Sequence, residues 1–377
     1  MKFLFCSDKF KGSLTSEDIH RILKDSLQSV MPGSESVCVT LADGGEGTMQ
    51  AVFSQLGGTW ITVPVKGPLF KSRQARYLMV DSETAVIEMA EASGLALLSD
   101  AKRNPTKTST MGVGEMILDA IDRGAKTIHL GIGGSATNDA GIGMLAALGY
   151  RFLDREGRPL KPTGGVLAFV ASIDNSQVDS RVDRTNFHVM CDVNNRLLGK
   201  NGATYTYGKQ KGADGEMQAK LEEGMKHFYK VVRKMKPEAK DFPGAGAAGG
   251  LGYACKVFLN SEMVSGIENI LSLNRFDELL TDVDYVVTGE GRIDGQSIRG
   301  KCVSGVLAHA KRKGTPVIAI VGGKGEGYEK LLKNGLKEIY ALSDSAPSVQ
   351  EAIENAAHWY RAAADQVFDH IKRLSQE

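Results

Sequence analysis

Thr127-Ile-His-Leu-Gly131-Ile-Gly133-Gly134-Ser135-Ala136-Thr137-Asn138-Asp139 is the stretch on which the fold turns. Its first five residues read as a short buried strand. They run straight into a glycine turn and then into small residues at helical spacing, ending at Gly149. Strand, turn and helix in that order fit G-x-G-x-x-A, where bare backbone N–H groups at a helix N-terminus hold an anion. The same letters also suit a tight strand-to-helix connection with Ser135 or Thr137 as the N-cap. On either reading the segment is one strand–helix unit of an α/β protein, and similar units should flank it.

They do. Runs rich in β-branched and aromatic residues at Lys2 to Ser7, Ser36 to Leu41, Asn186 to Cys191, Asp284 to Thr288 and Pro316 to Val321 predict strands. Between them Ser16 to Val30, Thr110 to Arg123, Asp214 to Met235, Lys301 to Lys313 and Ser348 to Leu374 carry apolar residues three and four apart, as helices packed on a sheet do. The class is α/β with largely parallel strands. The rhythm breaks from Trp60 to Glu91, where Ile61 to Val65, Ala75 to Val80 and Ala85 to Met89 follow one another through short turns and predict an antiparallel meander. Because both chain ends read as parallel-sheet strands, two domains are expected. One is a discontinuous Rossmann-like α/β domain from residues 1–62 and 283–377, and the other is an inserted mixed α/β domain, 63–282.

Composition narrows the function. The 377 residues are 42% hydrophobic and 24% charged, the balance of an ordinary globular protein. With 46 Lys and Arg against 45 Asp and Glu the net charge is +1, so a nucleic-acid surface is not expected. No run approaches 18 apolar residues and no signal-peptide core follows Met1, so neither a membrane nor export is expected and the cytoplasm is the expected compartment. Cys6, Cys38, Cys191, Cys255 and Cys302 form no C-x-x-C pair and read as reduced thiols. The chain has 44 glycines, against roughly 26 at the average usage of about 7%, so glycine has work to do here.

Two more glycine loops share that work. Gly244-Ala-Gly246-Ala-Ala-Gly249-Gly250-Leu-Gly252 matches G-x-G-x-x-G by letters but follows Asp241-Phe-Pro243, which is no strand. What remains is a backbone able to approach a ligand, or a close-packed loop. Gly295 to Cys302 nearly matches a P-loop, yet Cys302 stands where a Mg²⁺-binding Ser or Thr belongs, and Gly289 to Asp294 separate it from its strand. A P-loop is rejected, while Lys301 stays at a helix start.

In open α/β sheets ligands bind beyond the carboxyl ends of the strands. Asp8, Asp43 with Glu46, Asp139, Asp192, and Glu290 with Asp294 all follow predicted strands, so five of the six ends carry a carboxylate. Singly, each suits a cap or turn. Together with Lys9, Lys11, Lys107, Lys211 and Lys301, they supply carboxylates for a hard cation, glycine loops for phosphate oxygens and cations for developing charge. Those are the parts of phosphoryl transfer to a small molecule. Cys/His metal spacing and a G-x-S-x-G elbow are absent from the sequence, and His129 and His188 read as core residues inside strands.

Asp8-Lys-Phe-Lys-Gly-Ser13, Ala42-Asp-Gly-Gly-Glu-Gly-Thr48, Gly131 to Asp139, Cys191-Asp-Val193, Gln210-Lys-Gly-Ala213, Gly244 to Gly250 and Thr288-Gly-Glu-Gly-Arg-Ile-Asp294 together resemble the bacterial glycerate kinase family of the first type, in family order from residue 1 to about 325. The resemblance implies phosphorylation of D-glycerate by ATP, with the 2-phosphate as product and Mg²⁺ as cofactor. It also implies a two-domain enzyme with its site in the interdomain cleft, and leaves monomer and homodimer both open. On that footing Gly133, Gly134, Ser135, Asn138, Gly246, Gly249 and Gly250 are assigned to ATP, and Asp43, Glu46 and Asp294 to the metal. Asp192 is assigned as the base, Lys11, Lys211 and Lys301 as catalytic cations, and Asp8, Lys9, Ser13 and Arg292 to the substrate. Ala140, Arg196, Lys209 and Cys302-Val303 depart from the family pattern, and Arg196 and Lys209 leave another hydroxy acid open as acceptor. Two rivals stand beside this reading. One is an NAD-dependent oxidoreductase with Asp154 as the ribose acid, and the other is a two-domain receptor that closes on a small organic acid.

Overall fold

The computed structural model describes residues 1–10, 12–42, 44–295, 297 and 301–376. The chain forms two compact units, one from Met1–Asp43, Ser54–Leu56 and Ile267–Glu377, the other from Gly44–Phe53 and Gly57–Gly266. These joints differ from 62 and 283. The strand Thr59–Lys66 pairs with Ser72–Met79 along its whole length and so belongs to the second unit. The segment after Gly266 belongs to the first, because it packs on the helix Cys302–Lys313: His309 bonds Asp277 at 2.7 Å and Glu268 at 3.1 Å.

The first unit is built on a five-stranded parallel sheet in the order Glu338–Ala341, Val317–Val321, Tyr285–Gly289, Lys2–Ser7, Glu35–Cys38. Val317–Val321 is buried at every residue, the pattern of a strand covered on both faces. The helix Ser16–Val30 starts at a capping box of Thr15 and Asp18, which satisfies two of the helix's open donors. Its Ile19, Leu23 and Leu27 join Phe3, Phe5, Tyr360, Val367 and Phe368 in one apolar cluster. Phe3 and Phe368 meet edge to face at 5.5 Å, and each such side chain contributes about 2 kcal/mol by leaving water. The predicted helix over Ser348 to Leu374 is two helices, Val349–Glu354 and Ala356–Leu374, broken at Asn355.

The second unit carries a six-stranded sheet in the order Glu262–Val264, Asn186–Met190, Thr127–Gly131, Thr84–Glu88, Ser72–Met79, Thr59–Lys66. The first four strands run parallel and the last two fold back as the antiparallel meander. Pro64 lies on the terminal strand, where a missing N–H disrupts no inner ladder. All five cysteines are free thiols, and among the described residues no helix is long and apolar enough to cross a membrane.

Candidate active site

In the second unit the candidate residues gather at the carboxyl ends of the parallel strands. Beyond Thr127–Gly131 the chain makes an exposed turn at Gly133 and Gly134, the latter at φ +72°, then dives so that Ser135, Thr137, Asn138 and Asp139 are buried. The helix begins only at Ile142, behind Gly141 at φ +74°, so neither Ser135 nor Thr137 is its N-cap. Gly141 is the N-cap and has no capping side chain, so Asp139 supplies the acceptor. Its carboxylate accepts from Gly141 N at 3.2 Å and Gly143 N at 3.3 Å, and also from Thr110 N at 2.8 Å and Thr110 Oγ1 at 2.9 Å at the start of Met111–Asp122. Burial pushes its pKa up while these donors pull it back. Asp139 is therefore the structural tie between two helix starts.

Lys211 lies under the same loop. It is 1% exposed, and its Nζ donates to Ser135 Oγ at 2.8 Å and Thr137 O at 2.7 Å. Burial pulls its pKa down to about 7, with Asp139 opposing. Expected to meet the transferring group, this ammonium instead faces protein oxygens.

The second glycine loop packs on the first. A side chain at Gly249 would meet Thr137 O at 2.1 Å and one at Gly250 would meet Ala140 at 2.8 Å, while Ala140 N donates to Gly249 O at 2.9 Å. A side chain at Gly246 would meet Arg196 O at 2.2 Å. The close approach these three glycines permit is to protein backbone, not to the solvent-facing turn. Asn138 donates from Nδ2 to Thr204 Oγ1 at 3.1 Å and is buried with them.

The loop of Gly44, Gly45, exposed Glu46 and Gly47 lies alongside. A side chain at Gly131 would meet Gly44 O at 2.7 Å, and one at Gly133 would meet Gly45 at 3.1 Å. Glu88, at the end of its own strand, accepts from Met49 N at 2.7 Å and Gly47 N at 3.3 Å and so caps the helix Thr48–Leu56. Asp192 follows the strand Asn186–Met190, is exposed, and accepts from Gly266 N at 3.0 Å.

The first unit has its own set at the ends of Lys2–Ser7 and Tyr285–Gly289. Asp8 N donates to Gly289 O at 2.9 Å, and Lys9 N donates to Asp8 Oδ1 at 2.7 Å. Lys9 and Ser13 are exposed on the following loop. Asp294 accepts from Ser297 N at 3.2 Å, and Lys301 Nζ is 4.0 Å from its Oδ1 at the start of Cys302–Lys313. Arg292 is exposed on a two-residue strand beside Gly323–Lys324. Glu290, a strand-end acid to which the family motifs give no role, completes the set. It is largely buried and its Oε1 has no hydrogen-bond partner. Burial pushes its pKa up to about 7, with Lys301 opposing and Asp8 and Asp294 adding. Its position directly after Gly289 at a strand end was the available signal.

Lys11 and Asp43 lie outside the described residues. Among the described residues no group of three or more His, Cys, Asp or Glu is arranged to hold a metal ion. The unpartnered carboxylate oxygen of Glu290 with Asp8 and Asp294 near it nevertheless suits Mg²⁺, which takes one or two carboxylates and completes its shell with phosphates and water. Arg196 is tied down, its Nη1 donating to Asp241 O at 2.6 Å, while Lys209 is exposed. Asp154 caps a turn and pairs with Arg158 at 2.9 Å, and its neighbouring strand Arg151–Leu153 pairs with Ser172–Asp174 in a two-stranded sheet outside the main sheet. A dinucleotide fold needs that strand beside Thr127–Gly131, so the oxidoreductase reading fails on topology.

A family model described as the glycerate kinase family matches residues 3–372. The glycerate kinase of Halalkalibacterium halodurans is 43% identical over 359 residues, 95% of this chain and 94% of its own. The glycerate kinase of Bacillus subtilis is 40% identical over 374 residues, covering 99% and 98%, and the glycerate 2-kinase of Escherichia coli is 39% identical, covering 94% of each. The crystal structure of a candidate glycerate kinase 2 from Salmonella typhimurium LT2 superposes with a TM-score of 0.88 at 37% identity over 100% of both chains.

Proposed function

The chain belongs to the glycerate kinase family, and on that premise we propose that it transfers the γ-phosphoryl group of ATP to the 2-hydroxyl of D-glycerate with Mg²⁺ as cofactor. Phosphorylation of glycerate follows from membership of the family at 40–43% identity over most of the chain. The name of the Escherichia coli relative supports the 2-phosphate as product, and the order of the motifs supports the first of the bacterial types.

The observation that carries the geometry is the exposed Gly133–Gly134 turn with an ammonium buried beneath it, a backbone open to a polyanion and a positive charge to favour one. That turn is assigned to the nucleotide phosphates. Glu290 and Asp294 are assigned to Mg²⁺, and Asp8 to the substrate. When bound, the ion neutralises charge developing on the transferred group. Lys301 adds a fixed cation, Arg292 clamps the glycerate carboxylate, and Lys9 and Ser13 line the substrate loop. Asp192, its carboxylate oriented by Gly266 N, accepts the hydroxyl proton.

Purified protein given Mg-ATP should release ADP only when D-glycerate is present. ADP release that ignores glycerate, or none at all from folded protein, would contradict the reading. In the same assay Asp192→Asn should lower kcat at least 100-fold, and a change within a few-fold would remove Asp192 as base.

A further inference from the structure

A charged lysine buried to 1% exposure under a phosphate-type turn carries a desolvation penalty that an apolar side chain of similar size would not. Its contacts indicate what it does. Nζ donates to Ser135 Oγ at 2.8 Å, so that oxygen accepts from Lys211 and the hydroxyl proton of Ser135 remains for another acceptor. Nζ also donates to Thr137 O at 2.7 Å, turning that carbonyl inward and away from any anion on the outer side of the loop. Asp139 is the charged group that acts on this ammonium, and its carboxylate is already engaged by Thr110, Gly141 and Gly143. The positive charge under the turn is therefore left for a ligand to complement.

We propose that Lys211 is a positioning residue. Its buried ammonium makes Ser135 a hydrogen-bond donor to a nucleotide phosphate oxygen and charges the Gly133–Gly134 turn from below. This rests on the assignment of that turn to the nucleotide. It differs from a catalytic lysine that touches the transferring group, because its effect falls on nucleotide affinity and not on the chemical step. The ammonium titrates near pH 7, charged below and neutral above, so nucleotide affinity falls as pH rises through that point.

The test is the KM for ATP between pH 6 and pH 9 at saturating D-glycerate, in the wild type, in Lys211→Met and in Ser135→Ala. ATP's own ionisation is common to all three, so the differences between profiles carry the answer. At pH 6 both variants should show a KM about tenfold above wild type, with kcat within threefold, as expected for one lost charge-assisted donor. The Lys211→Met deficit should shrink as pH rises and the wild-type lysine discharges. An unchanged KM in Lys211→Met, a deficit independent of pH, or a kcat lowered 100-fold at constant KM would overturn the proposal. Should Lys211→Met not fold, Ser135→Ala decides, and an unchanged KM there overturns it. Gly134→Val separates the two levels of the argument. If it leaves the KM for ATP unchanged in an enzyme that still turns over glycerate, the turn does not hold nucleotide and both assignments fall. If it raises KM while the Lys211 and Ser135 variants are silent, only the role of Lys211 falls.

Discussion

Asp139 and Lys211 read alike in the sequence, as polar residues in recognisable motifs, and the structure gives both to the interior. Their partners explain why the sequence could not show this. Asp139 is tied to Thr110, 29 positions away, and Lys211 to Ser135, 76 positions away, and no local pattern announces either pair. Asp139→Ala should leave four donors open in a dry site and cost about 2–4 kcal/mol, seen as a lower urea midpoint. Asp139→Asn, which keeps an acceptor, should cost less, and equal losses would mean that the carboxylate does not tie the helix starts. Gly249→Ala should be at least as damaging as Asp139→Ala, because φ is +67° and the new Cβ would sit 2.1 Å from Thr137 O. A neutral Gly249→Ala would refute the loop-on-loop packing.

Elements with long periodic signals were legible. Lys2–Ser7, Thr127–Gly131 and Ser16–Val30 have the bounds their composition predicts, and the meander lies where alternation replaces helical period. Glu262–Val264 and Glu338–Ala341, three and four residues long at the edges of their sheets, are too short for any period to register. The helix Thr48–Leu56 was hidden behind the glycine loop, because its start has no capping side chain of its own and borrows Glu88 from a strand. Glu88→Ala should therefore fray that helix at a cost of about 1–2 kcal/mol. Amide exchange should quicken at residues 47–52 and stay slow in the strand Lys2–Ser7. Protection unchanged at 47–52 would contradict the cap.

At the scale of the whole chain, the strands at both ends pair in one sheet, as the register of Phe3 with Tyr285 shows. The α/β class and the reaction were legible because short strands, glycine turns and strand-end acids carry both at once. Which acids serve chemistry and which serve folding was not, since that depends on burial and on partners far along the chain. Glu290 and Asp139 each follow a strand, and only Glu290 keeps an unpartnered carboxylate oxygen. The proposal that this chain phosphorylates D-glycerate at the 2-hydroxyl is tested most directly by phosphorus NMR of the reaction mixture with Mg-ATP. The account predicts one new phosphomonoester signal, split into a doublet by the single proton on the phosphorylated carbon, growing in step with ADP. A triplet from a phosphorylated CH₂, or inorganic phosphate alone, would contradict it.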